Sequence, residues 1–545
     1  YHGSGVAGCL GLKAGANQAF GASGTTFPLN GGSIHLNGYS QTLAAVTGNA
    51  ASSVQGGTGL TSVLTLGSGN TSSTFAGSLS GNLALVKIGA GTLTLSGSVT
   101  MTGVITVQEG TLDLSNATLG AGTRINTAEL ATVNLPTASI SKLYLDNVKL
   151  APGRWGAPGS VAASLADFES PAFSGPGVVT IANTGMSNME RWKTMKHGFF
   201  VHYVWDGTNG PMRPDGSKPT SINDTADSFD APGFADDMAA MGVEYVIFTA
   251  WQANFFPLYP SSAMNKYHSG RTPTRDMVGE MITAVRAKNI RVLLYTHPWQ
   301  PIDWSGDYKA KNDNLINDVY AELVDRYGDQ IDGLFVDENF WEGNQDEYVN
   351  YDRLSDTIRR RNPELVLMHN WGAWESCAIY TTDMTHRETP PGADLDANPW
   401  VSESTPVPST QLVGPQWSAT VAKVPTPATT TAGRSAAGIF RTAVLGAGSC
   451  TSGGGWIWAA GPYSGNGYSP VGSPTYVGRW EQGVLEAMAG AAAYIAPVAA
   501  SIKNTYPSTS WLTEPYTYIE SLPQGIVATR STDDTKEYIH VLNPP

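Results

Sequence analysis

The pattern of the sequence changes within a few residues of Met186, and this change requires more than one kind of domain. Up to about residue 183 the chain is rich in Gly, Ser, Thr, Ala and Asn, with short alternating apolar runs and almost no helical periodicity. Runs that begin at Thr92, Val104 and Thr111 recur at roughly ten-residue spacing, which predicts stacked strands in a β-helix or a sandwich. After Met186 apolar runs alternate with helical patterns, which predicts βαβ units and a parallel sheet.

The predicted elements of this second part end with a less regular region. The predicted strands are 198–205, 243–251, 290–299, 331–337 and 365–371. The predicted helices between them are 235–241, 274–288, 313–327 and 351–362. Beyond Trp371 the chain turns to long Pro/Thr/Gly loops, followed by a helix at 437–445, a strand at 455–460, a helical stretch at 476–500 and a hairpin at 525–542.

Composition excludes several classes of function. The net charge is −14, and the first 185 residues contribute none of it. An acidic chain without a Lys/Arg cluster is a poor candidate for binding nucleic acid or another extended polyanion. The Ala-rich run at 489–500 contains Pro497 and lies close to Glu486, so we predict a buried helix and no membrane span. The three cysteines, Cys9, Cys377 and Cys450, form no disulfide framework or CxxC metal motif.

The run 331–341 carries the strongest candidate for chemistry. A buried apolar strand ends there in Asp337, with Gly333 and Phe335 on the same face of the strand by alternation. An ionised group at the tip of a buried strand is costly unless function requires it. The alternative is that Asp337 is an N-cap or loop residue of the next helix. Its surroundings favour catalysis.

Tryptophans and histidines collect at the same strand ends. Aromatic faces suit the CH faces of sugar rings, and neutral imidazoles both donate to and accept from sugar hydroxyls. These residues therefore predict an aromatic-lined sugar pocket, against the alternative that each is packed under a loop. A metal site has no support from HExxH or Cys/His spacing. The candidate substrate-binding residues are His202, Trp205, Trp251, Gln252, His297, Trp299, Trp341, His369 and Trp371.

Hydrolysis of a glycosidic bond needs a second carboxyl group, and a retaining enzyme places the two roughly 5–5.5 Å apart. With Asp337 as the nucleophile, the candidate partners all follow the fifth predicted strand. Spacing alone does not choose among them, and each could equally be a surface carboxylate. The candidates are Glu375, Glu388, Asp396 and Glu403.

Several short motifs occur in a collinear order between residues 190 and 545. They are FFVH at 199–202, YVIFTA at 245–250, FPLYPS at 256–261, RDMVG at 275–279, GLFVD at 333–337, DMTHRE at 383–388, GGGWIWAAGP at 453–462 and GIVATR at 525–530. Together these motifs resemble those of family 29 glycoside hydrolases, the α-L-fucosidases. The runs at 89–97 and 108–114 are similar to the passenger repeats of exported bacterial autotransporters. The segments around 143–156 and 175–179 resemble the closing part of such modules.

The resemblance implies an architecture and a set of roles. The first part, residues 1–183, would be an all-β module, β-helix or sandwich-like. Residues 186–503 would form a (β/α)8-type barrel, and 504–545 would start a C-terminal β-sandwich. Asp337 would be the nucleophile and Glu388 the acid/base, with Glu403 and Glu375 as alternatives. One departure concerns the sugar: a His-His pair that contacts fucose in the family is replaced here by Gln252 and Ala253.

These arguments together predict a secreted or cell-surface bacterial enzyme. It would be a retaining glycoside hydrolase that cleaves α-L-fucosides or related α-linked sugars from an oligosaccharide or polysaccharide, without a cofactor. The first module, 1–183, is either a spacer or an attachment to glycans or the cell surface. Two alternatives remain, a carbohydrate-binding barrel without catalysis and a surface adhesin. The start Tyr1-His2-Gly3 lacks the pattern of a signal peptide, so we expect that any signal has been removed or omitted.

Overall fold

The computed structural model divides the chain into two compact units. The first contains Tyr1–Ser187, Ala321–Gly328 and Asp356–Glu364, and the second contains Asn188–Tyr320, Asp329–Ser355 and Leu365–Pro545. The structure describes residues 11–57, 60–182, 186–208, 210–211, 217–252, 255–298, 314–337, 351–370, 384–387, 400–403, 436–449, 454–460, 480, 484–508 and 526–541. The three cysteines lie outside these residues.

The first unit is a stack of short strands in three long sheets, which we call the strand stack. The first sheet contains β1 Gly11–Lys13, β3 Ser33–His35, β6 Ser53–Gln55, β9 Ser78–Gly81, β12 Ser98–Met101 and β15 Thr118–Leu119. The second sheet contains β4 Gln41–Leu43, β7 Ser62–Leu66, β10 Leu83–Lys87, β13 Val104–Val107, β16 Arg124–Thr127, β19 Lys142–Leu145 and β20 Val148–Lys149. The third contains β2 Thr26–Leu29, β5 Ala45–Gly48, β8 Ser73–Phe75, β11 Thr92–Leu95, β14 Thr111–Asp113, β17 Thr132–Asn134 and β23 Phe173–Ser174.

Apart from the antiparallel pair of β19 with β20, pairing in the three long sheets is parallel and joins strands that are one circuit apart. Leu85 pairs with Ile105 in the second sheet, and Thr92 pairs with Thr111 in the third. The structural repeat is therefore close to 20 residues, twice the spacing visible in the sequence, because neighbouring runs lie on different sheets. The prediction of a strand-rich N-terminal region is confirmed.

Alternation explains why these short strands stack. In β11 the leucines Leu93 and Leu95 are buried and the threonines between them are partly exposed. Equivalent apolar side chains from successive circuits form one continuous core, which includes Leu112 and Val133. A fourth sheet closes the stack with the order β18 Ala138–Ile140, β24 Val178–Ile181, β21 Gly153–Gly156 and β22 Phe168–Glu169.

Two helical segments from far along the chain complete the first unit. Lys142 forms an ion pair of 2.8 Å with Glu364, and Lys149 lies 3.6 Å from the same carboxylate. The hydroxyl of Tyr144 donates to Glu364 at 3.1 Å. Asp325, which pairs with Arg361 at 3.2 Å, accepts the backbone N–H of residue 61. Buried charged groups thus fix these segments to the strand stack.

The second unit is built on a closed barrel of eight parallel strands. Its strands, in the order of both sequence and sheet, are β25 His197–Val201, β26 Tyr245–Thr249, β27 Arg291–Thr296, β28 Gly333–Val336, β29 Val366–Asn370, β30 Met384–Arg387, β31 Trp400–Glu403 and β32 Gly454–Ala460. The strand β32 pairs with β25 and closes the circle. The prediction of an α/β domain with a parallel sheet is confirmed, and β30 and β31 are strands that the sequence pattern did not predict.

Helices alternate with the barrel strands. They are Asn188–Thr194, Ile222–Asp227, Ala231–Ala240, Ser262–Tyr267, Met277–Ala287, Ala321–Tyr327, Tyr351–Arg359, Ala436–Ser449 and Val484–Ile495, with a π-helix at Leu315–Tyr320 and a 3-10 helix at Ala496–Ser501. Four of them begin at a side chain that accepts a backbone N–H from the first turn, as good N-caps do. These caps are Ser221, Asp230, Ser261 and Asp276.

A buried carboxylate holds the amino end of β28. Asp332 is 2% exposed and accepts hydrogen bonds from Arg286 at 2.8 Å and from Arg291 at 3.1 Å. It also accepts the backbone N–H of Val292 at 3.1 Å, and Arg191 lies 4.0 Å away. This arginine cluster lies at the opposite end of β28 from Asp337, where barrel residues serve stability and not catalysis.

The last described residues form a three-stranded antiparallel sheet, β33 Thr505–Pro507, β34 Ile526–Ser531 and β35 Glu537–Val541. The predicted hairpin at 525–542 matches β34 and β35, whereas the predicted sandwich stays a prediction. Among the described residues, the stretch Val484–Ser501 has the length and mean hydropathy, 1.4, of a membrane-crossing helix. In this stretch 22% of the residues are buried, among them Met488 and Ile495.

Candidate active site

Asp337 lies immediately after β28 and is 1% exposed. Its backbone N–H donates to the carbonyl of Thr296 at 2.9 Å, which continues the pairing of β27 with β28. The hydroxyl of Tyr295 donates to Oδ2 of Asp337. Asp337 therefore has a fixed backbone and a carboxylate that is oriented by a phenol from the neighbouring strand.

An aromatic cluster inside the barrel lies beneath this carboxylate. Phe335 stacks on Tyr295, with ring centroids 5.4 Å apart and an angle of 23° between the rings. Phe200 contacts both rings edge-on, at 5.1 Å from Phe335 and 5.5 Å from Tyr295. The expectation that Phe335 and Asp337 share one face of β28 agrees with these contacts, because both touch Tyr295. Such a surrounding removes water from the carboxylate and strengthens its remaining polar contacts.

His202 joins this cluster from the end of β25. Its ring packs edge-on against Tyr295 at 4.7 Å, and Nδ1 lies 3.1 Å from the hydroxyl of Thr249. That hydroxyl donates its only hydrogen to the carbonyl of Val201 at 2.8 Å. Nδ1 must therefore carry the proton, and Nε2 of the neutral ring is an acceptor. Burial, followed by the charge of His297, lowers the pKa of His202 to about 3.

Trp251 and His297 lie at the ends of the next two strands. Nε1 of Trp251 donates to the backbone carbonyl of His297 at 3.1 Å. Trp251 is fully buried, and its ring packs against Phe255 at 5.7 Å. Phe255 has a positive φ of 53°, which is strained for a bulky residue and is found preferentially at functional sites. In this state Trp251 shapes the wall of the site without presenting an open ring face.

The other predicted site residues differ in how much of them the structure describes. Trp205 and Gln252 are among the described residues: Trp205 is buried, at 6% exposed, and Gln252 follows Trp251 directly. His369 and Glu403 lie in strands β29 and β31, for which the structure describes the backbone. Outside the described residues lie Glu388, Glu375, Trp299, Trp341 and Trp371. The catalytic pair and most of the sugar-binding set therefore stay predictions.

The structure adds site residues that sequence reasoning did not identify. Tyr295 contacts Asp337 directly, and Thr296 bonds to its backbone. Strand alignment alone could have indicated them, because parallel neighbours in register place residues of β27 beside those of β28. Among the described residues no group of three or more His, Cys, Asp or Glu side chains could hold a metal ion. The arrangement is that of a buried carboxylate that is oriented by Tyr295 and lies beside a cluster of aromatic rings.

Two family models match the chain. Residues 222–409 match Alpha-L-fucosidase, and residues 85–114 match Passenger-associated-transport-repeat. The first of these matches contains Asp337 and Glu388, and the second covers the four strands β11 to β14 of the strand stack.

The curated relatives are similar over a limited part of the chain. Putative alpha-L-fucosidase 1 of Oryza sativa subsp. japonica is 29% identical over 193 residues, which cover 33% of this chain and 35% of the relative. Tissue alpha-L-fucosidase of Homo sapiens is 29% identical over 163 residues, which cover 28% and 34%. The chain thus spans about a third of the length of the curated relatives it matches. The solved alpha-L-fucosidase from Vibrio sp. strain EJY3 aligns with a TM-score of 0.46 and 16% identity, covering 66% of this chain and 62% of that chain.

These matches confirm the resemblance predicted from the sequence for both parts of the chain. Residues 222–409 are thus similar to the alpha-L-fucosidase family of glycoside hydrolases, and residues 85–114 are similar to a passenger-associated-transport repeat.

Proposed function

We propose that this chain is a retaining glycoside hydrolase that cleaves α-L-fucosides or related α-linked sugars from glycans. The observation that carries the proposal is the carboxylate of Asp337, buried at the carboxyl end of a barrel strand and held by the hydroxyl of Tyr295. In β/α barrels catalytic groups collect at this end of the strands. The family match over residues 222–409 supplies the class of reaction and of sugar.

The mechanism needs two displacements. In the first, an oxygen of Asp337 attacks the anomeric carbon while Glu388 gives its proton to the departing glycosidic oxygen, and a covalent glycosyl-enzyme forms. In the second, Glu388 takes a proton from water, and the water oxygen attacks the anomeric carbon and releases Asp337. The hydrogen bond from Tyr295 stabilises the ionised carboxylate between turnovers and fixes which oxygen faces the sugar.

Neutral His202 supports the binding of a sugar hydroxyl. With its proton fixed on Nδ1, Nε2 accepts a hydrogen bond from a hydroxyl group at every pH above about 4, because the pKa is lowered to about 3. Gln252 and Ala253 replace a histidine pair of the family and alter the hydrogen bonding at one wall. The sugar is therefore a fucoside or a close relative, with specificity shifted by this wall.

The finer architecture and the location belong to the same proposal. The three parallel sheets of the strand stack support a β-helix, and the eight-stranded closed barrel supports a (β/α)8-type catalytic domain. The predicted boundaries are 1–183, 186–503 and 504–545. A passenger-associated-transport repeat supports secretion or display at a bacterial cell surface. The strand stack would then act as a spacer or an attachment to glycans.

A panel of 4-nitrophenyl glycosides, followed by NMR of the first product formed, tests the proposal. We expect hydrolysis with retention of configuration, and a loss of about 10³-fold or more in kcat for Asp337→Asn. Glu388→Gln should slow aryl substrates less than oligosaccharides, because a nitrophenolate needs little protonation. Asp332→Asn is the matched control, since it makes the same substitution at the other end of β28 and should leave kcat unchanged.

Three results contradict the proposal. A wild-type rate in Asp337→Asn refutes the nucleophile. Inversion at the anomeric carbon refutes the double displacement. If wild type and Asp337→Asn are equally inert on every glycoside while sugar binding persists, the barrel is a carbohydrate-binding module and not an enzyme.

A further inference from the structure

We propose that Tyr320, at the end of the π-helix Leu315–Tyr320, is a positioning residue that holds Asp337 in place through Thr296. This inference rests on the proposed function, because it assigns Tyr320 a part in the reaction carried out by Asp337. Tyr320 is 24 residues from Thr296 in sequence and belongs to a different element, so nothing in the local sequence relates it to the site.

Thr296 is the residue through which Tyr320 acts. Its carbonyl accepts the backbone N–H of Asp337 at 2.9 Å. Its hydroxyl donates to the carbonyl of Phe335 at 3.1 Å and accepts the hydroxyl hydrogen of Tyr320 at 3.0 Å. Thr296 therefore connects β27 to both residues that flank Val336 at the tip of β28, to Asp337 through its backbone carbonyl and to Phe335 through its hydroxyl. Displacement of Thr296 would move the backbone of Asp337 directly.

Tyr320 is suited to the role of a permanent donor. Its side chain is fully buried, and burial raises the pKa of its hydroxyl well above the ordinary value. The phenol thus keeps its hydrogen at neutral pH. A buried hydrogen bond with a fixed donor defines the position of its acceptor more strongly than an exposed one does.

A second contact connects Tyr320 to the wall of the site. Its ring packs edge-on against Trp251, with centroids 5.2 Å apart. Trp251 in turn donates from Nε1 to the carbonyl of His297 at 3.1 Å. Tyr320 therefore bridges two consecutive residues at the end of β27, Thr296 through its hydroxyl and His297 through Trp251. A residue required only for packing would not need both connections.

The π-helix explains how Tyr320 reaches this place. A π-helical turn contains one more residue than an α-helical turn and changes the direction of the side chains that follow it. Asp318, in the same turn, forms an ion pair of 2.7 Å with Lys266 and accepts the hydroxyl of Tyr267. The turn is thus fixed through Asp318 to the helix Ser262–Tyr267, while the hydroxyl of Tyr320 reaches Thr296 at the end of β27. Irregular turns of this kind recur at functional sites.

The test is Tyr320→Phe, which keeps the ring and its contact with Trp251 and removes only the hydroxyl. On 4-nitrophenyl α-L-fucoside we expect kcat to fall about tenfold while KM stays within about twofold, since small displacements of a reacting group cost rate more than binding. The rate of covalent labelling by 2-deoxy-2-fluoro-fucosyl fluoride, measured by intact mass, should fall by the same factor. Both assays are run well below the melting temperature, so that loss of folded protein does not contribute.

Tyr203→Phe is the matched control. Tyr203 is also fully buried, and its hydroxyl donates to the backbone carbonyl of Thr225 at 2.8 Å, away from Asp337. It should lose stability to a similar degree and keep kcat. A double-mutant cycle with Thr296→Val adds a second criterion. The two substitutions should be non-additive in kcat, while Thr296→Ser, which keeps the hydroxyl, should remain active.

The outcomes separate this inference from the proposed function. If Asp337→Asn abolishes turnover and labelling but Tyr320→Phe retains the wild-type kcat, the positioning role is refuted and the proposed function stands. Equal losses of kcat in Tyr320→Phe and Tyr203→Phe also refute it, because the effect would then be general. If wild type is neither active nor labelled, or if Asp337→Asn is fully active, the proposed function fails and the inference fails with it.

Discussion

The arginine cluster around Asp332 gives a prediction whose size follows from the structure. In Asp332→Asn the volume of the side chain is kept, and its amide oxygen still accepts the N–H of Val292. The charge that compensates Arg286 and Arg291 is lost, together with two charge-assisted hydrogen bonds. We expect a loss of folding stability and no loss of catalytic rate.

The magnitude is set by the exposure of the partners. Removing one member of a buried ion pair typically costs 3–5 kcal/mol, mostly because the other charge is left unpaired. Here the carboxylate is 2% exposed but the side chains of Arg286 and Arg291 are 35% and 30% exposed, so water partly replaces the lost partner. We therefore expect the lower end of the range, about 3 kcal/mol. With an unfolding entropy of about 2.1 cal/mol/K per residue, this corresponds for a unit of this size to a fall in melting temperature of about 4 °C.

Scanning calorimetry at pH 7 measures this effect, with Glu280→Gln as the control. Glu280 pairs with Arg275 at 2.5 Å, but its side chain is 48% exposed, and a surface pair contributes at most about 1 kcal/mol. In 1 M NaCl the effect of Glu280→Gln should disappear, whereas that of Asp332→Asn should persist, because salt screens exposed charges. A melting temperature for Asp332→Asn within 1 °C of wild type would show that hydration of the arginines offsets the whole loss and would refute the reasoning.

Three further predictions concern the site and the response to acid. Tyr295→Phe should lower kcat about 10–100-fold on an aryl fucoside, because Asp337 loses its hydrogen bond from Tyr295. Circular dichroism should show an intact fold, and an unchanged kcat would contradict the role of Tyr295 in orienting Asp337. Burial lowers the pKa of His197 and of His202 to about 3 in the folded protein, so the unfolded chain binds more protons than the folded protein does at mildly acid pH. The free energy of unfolding should therefore fall by up to about 1.4 kcal/mol per pH unit for each histidine as the pH drops below about 6.5. Urea unfolding from pH 7 to 5 checks this slope, which His197→Gln should reduce. Burial alone would raise the pKa of Glu364, but its lysine and tyrosine partners outweigh burial and lower this pKa. Glu364→Gln should therefore destabilise the protein at pH 7, and the difference in stability from wild type should vanish at strongly acid pH. A difference that persists in acid would show that the effect comes from packing.

Much of the barrel could be predicted because its strands are continuous apolar runs. The run at 331–337 contains β28, and the run at 290–299 contains β27, although both strands are shorter than the runs. The strands β30 and β31 were missed, since Met384–Arg387 and Trp400–Glu403 are short, polar in part and surrounded by Pro/Thr/Gly sequence. Strand periodicity needs several residues before it can be distinguished from loop composition.

The candidate site could be predicted only where it follows the sequence locally. Asp337 was identifiable because it ends its own strand. The residues that hold it come from elsewhere: Tyr295 is 42 residues away, and Tyr320 acts from a π-helix that sequence patterns assign to an ordinary helix. Asp332 likewise accepts a hydrogen bond from Arg286, which is 46 residues away in the sequence. Contacts between distant positions depend on strand register and helix geometry, which a single sequence does not encode in any local pattern.

The parallel pairing of the strand stack has a consequence for how this part of the protein can lose structure or change in length. In the backbone pairing of its long sheets each circuit bonds to the circuit before it and the circuit after it, as Leu85 does with Leu64 and Ile105. The folding free energy of such an array is close to the sum of the stability of each circuit and the interaction energy between neighbouring circuits. Unravelling should then start at a terminal circuit and advance one circuit at a time, and removal of a whole circuit would shorten the array without disturbing the register of those that remain.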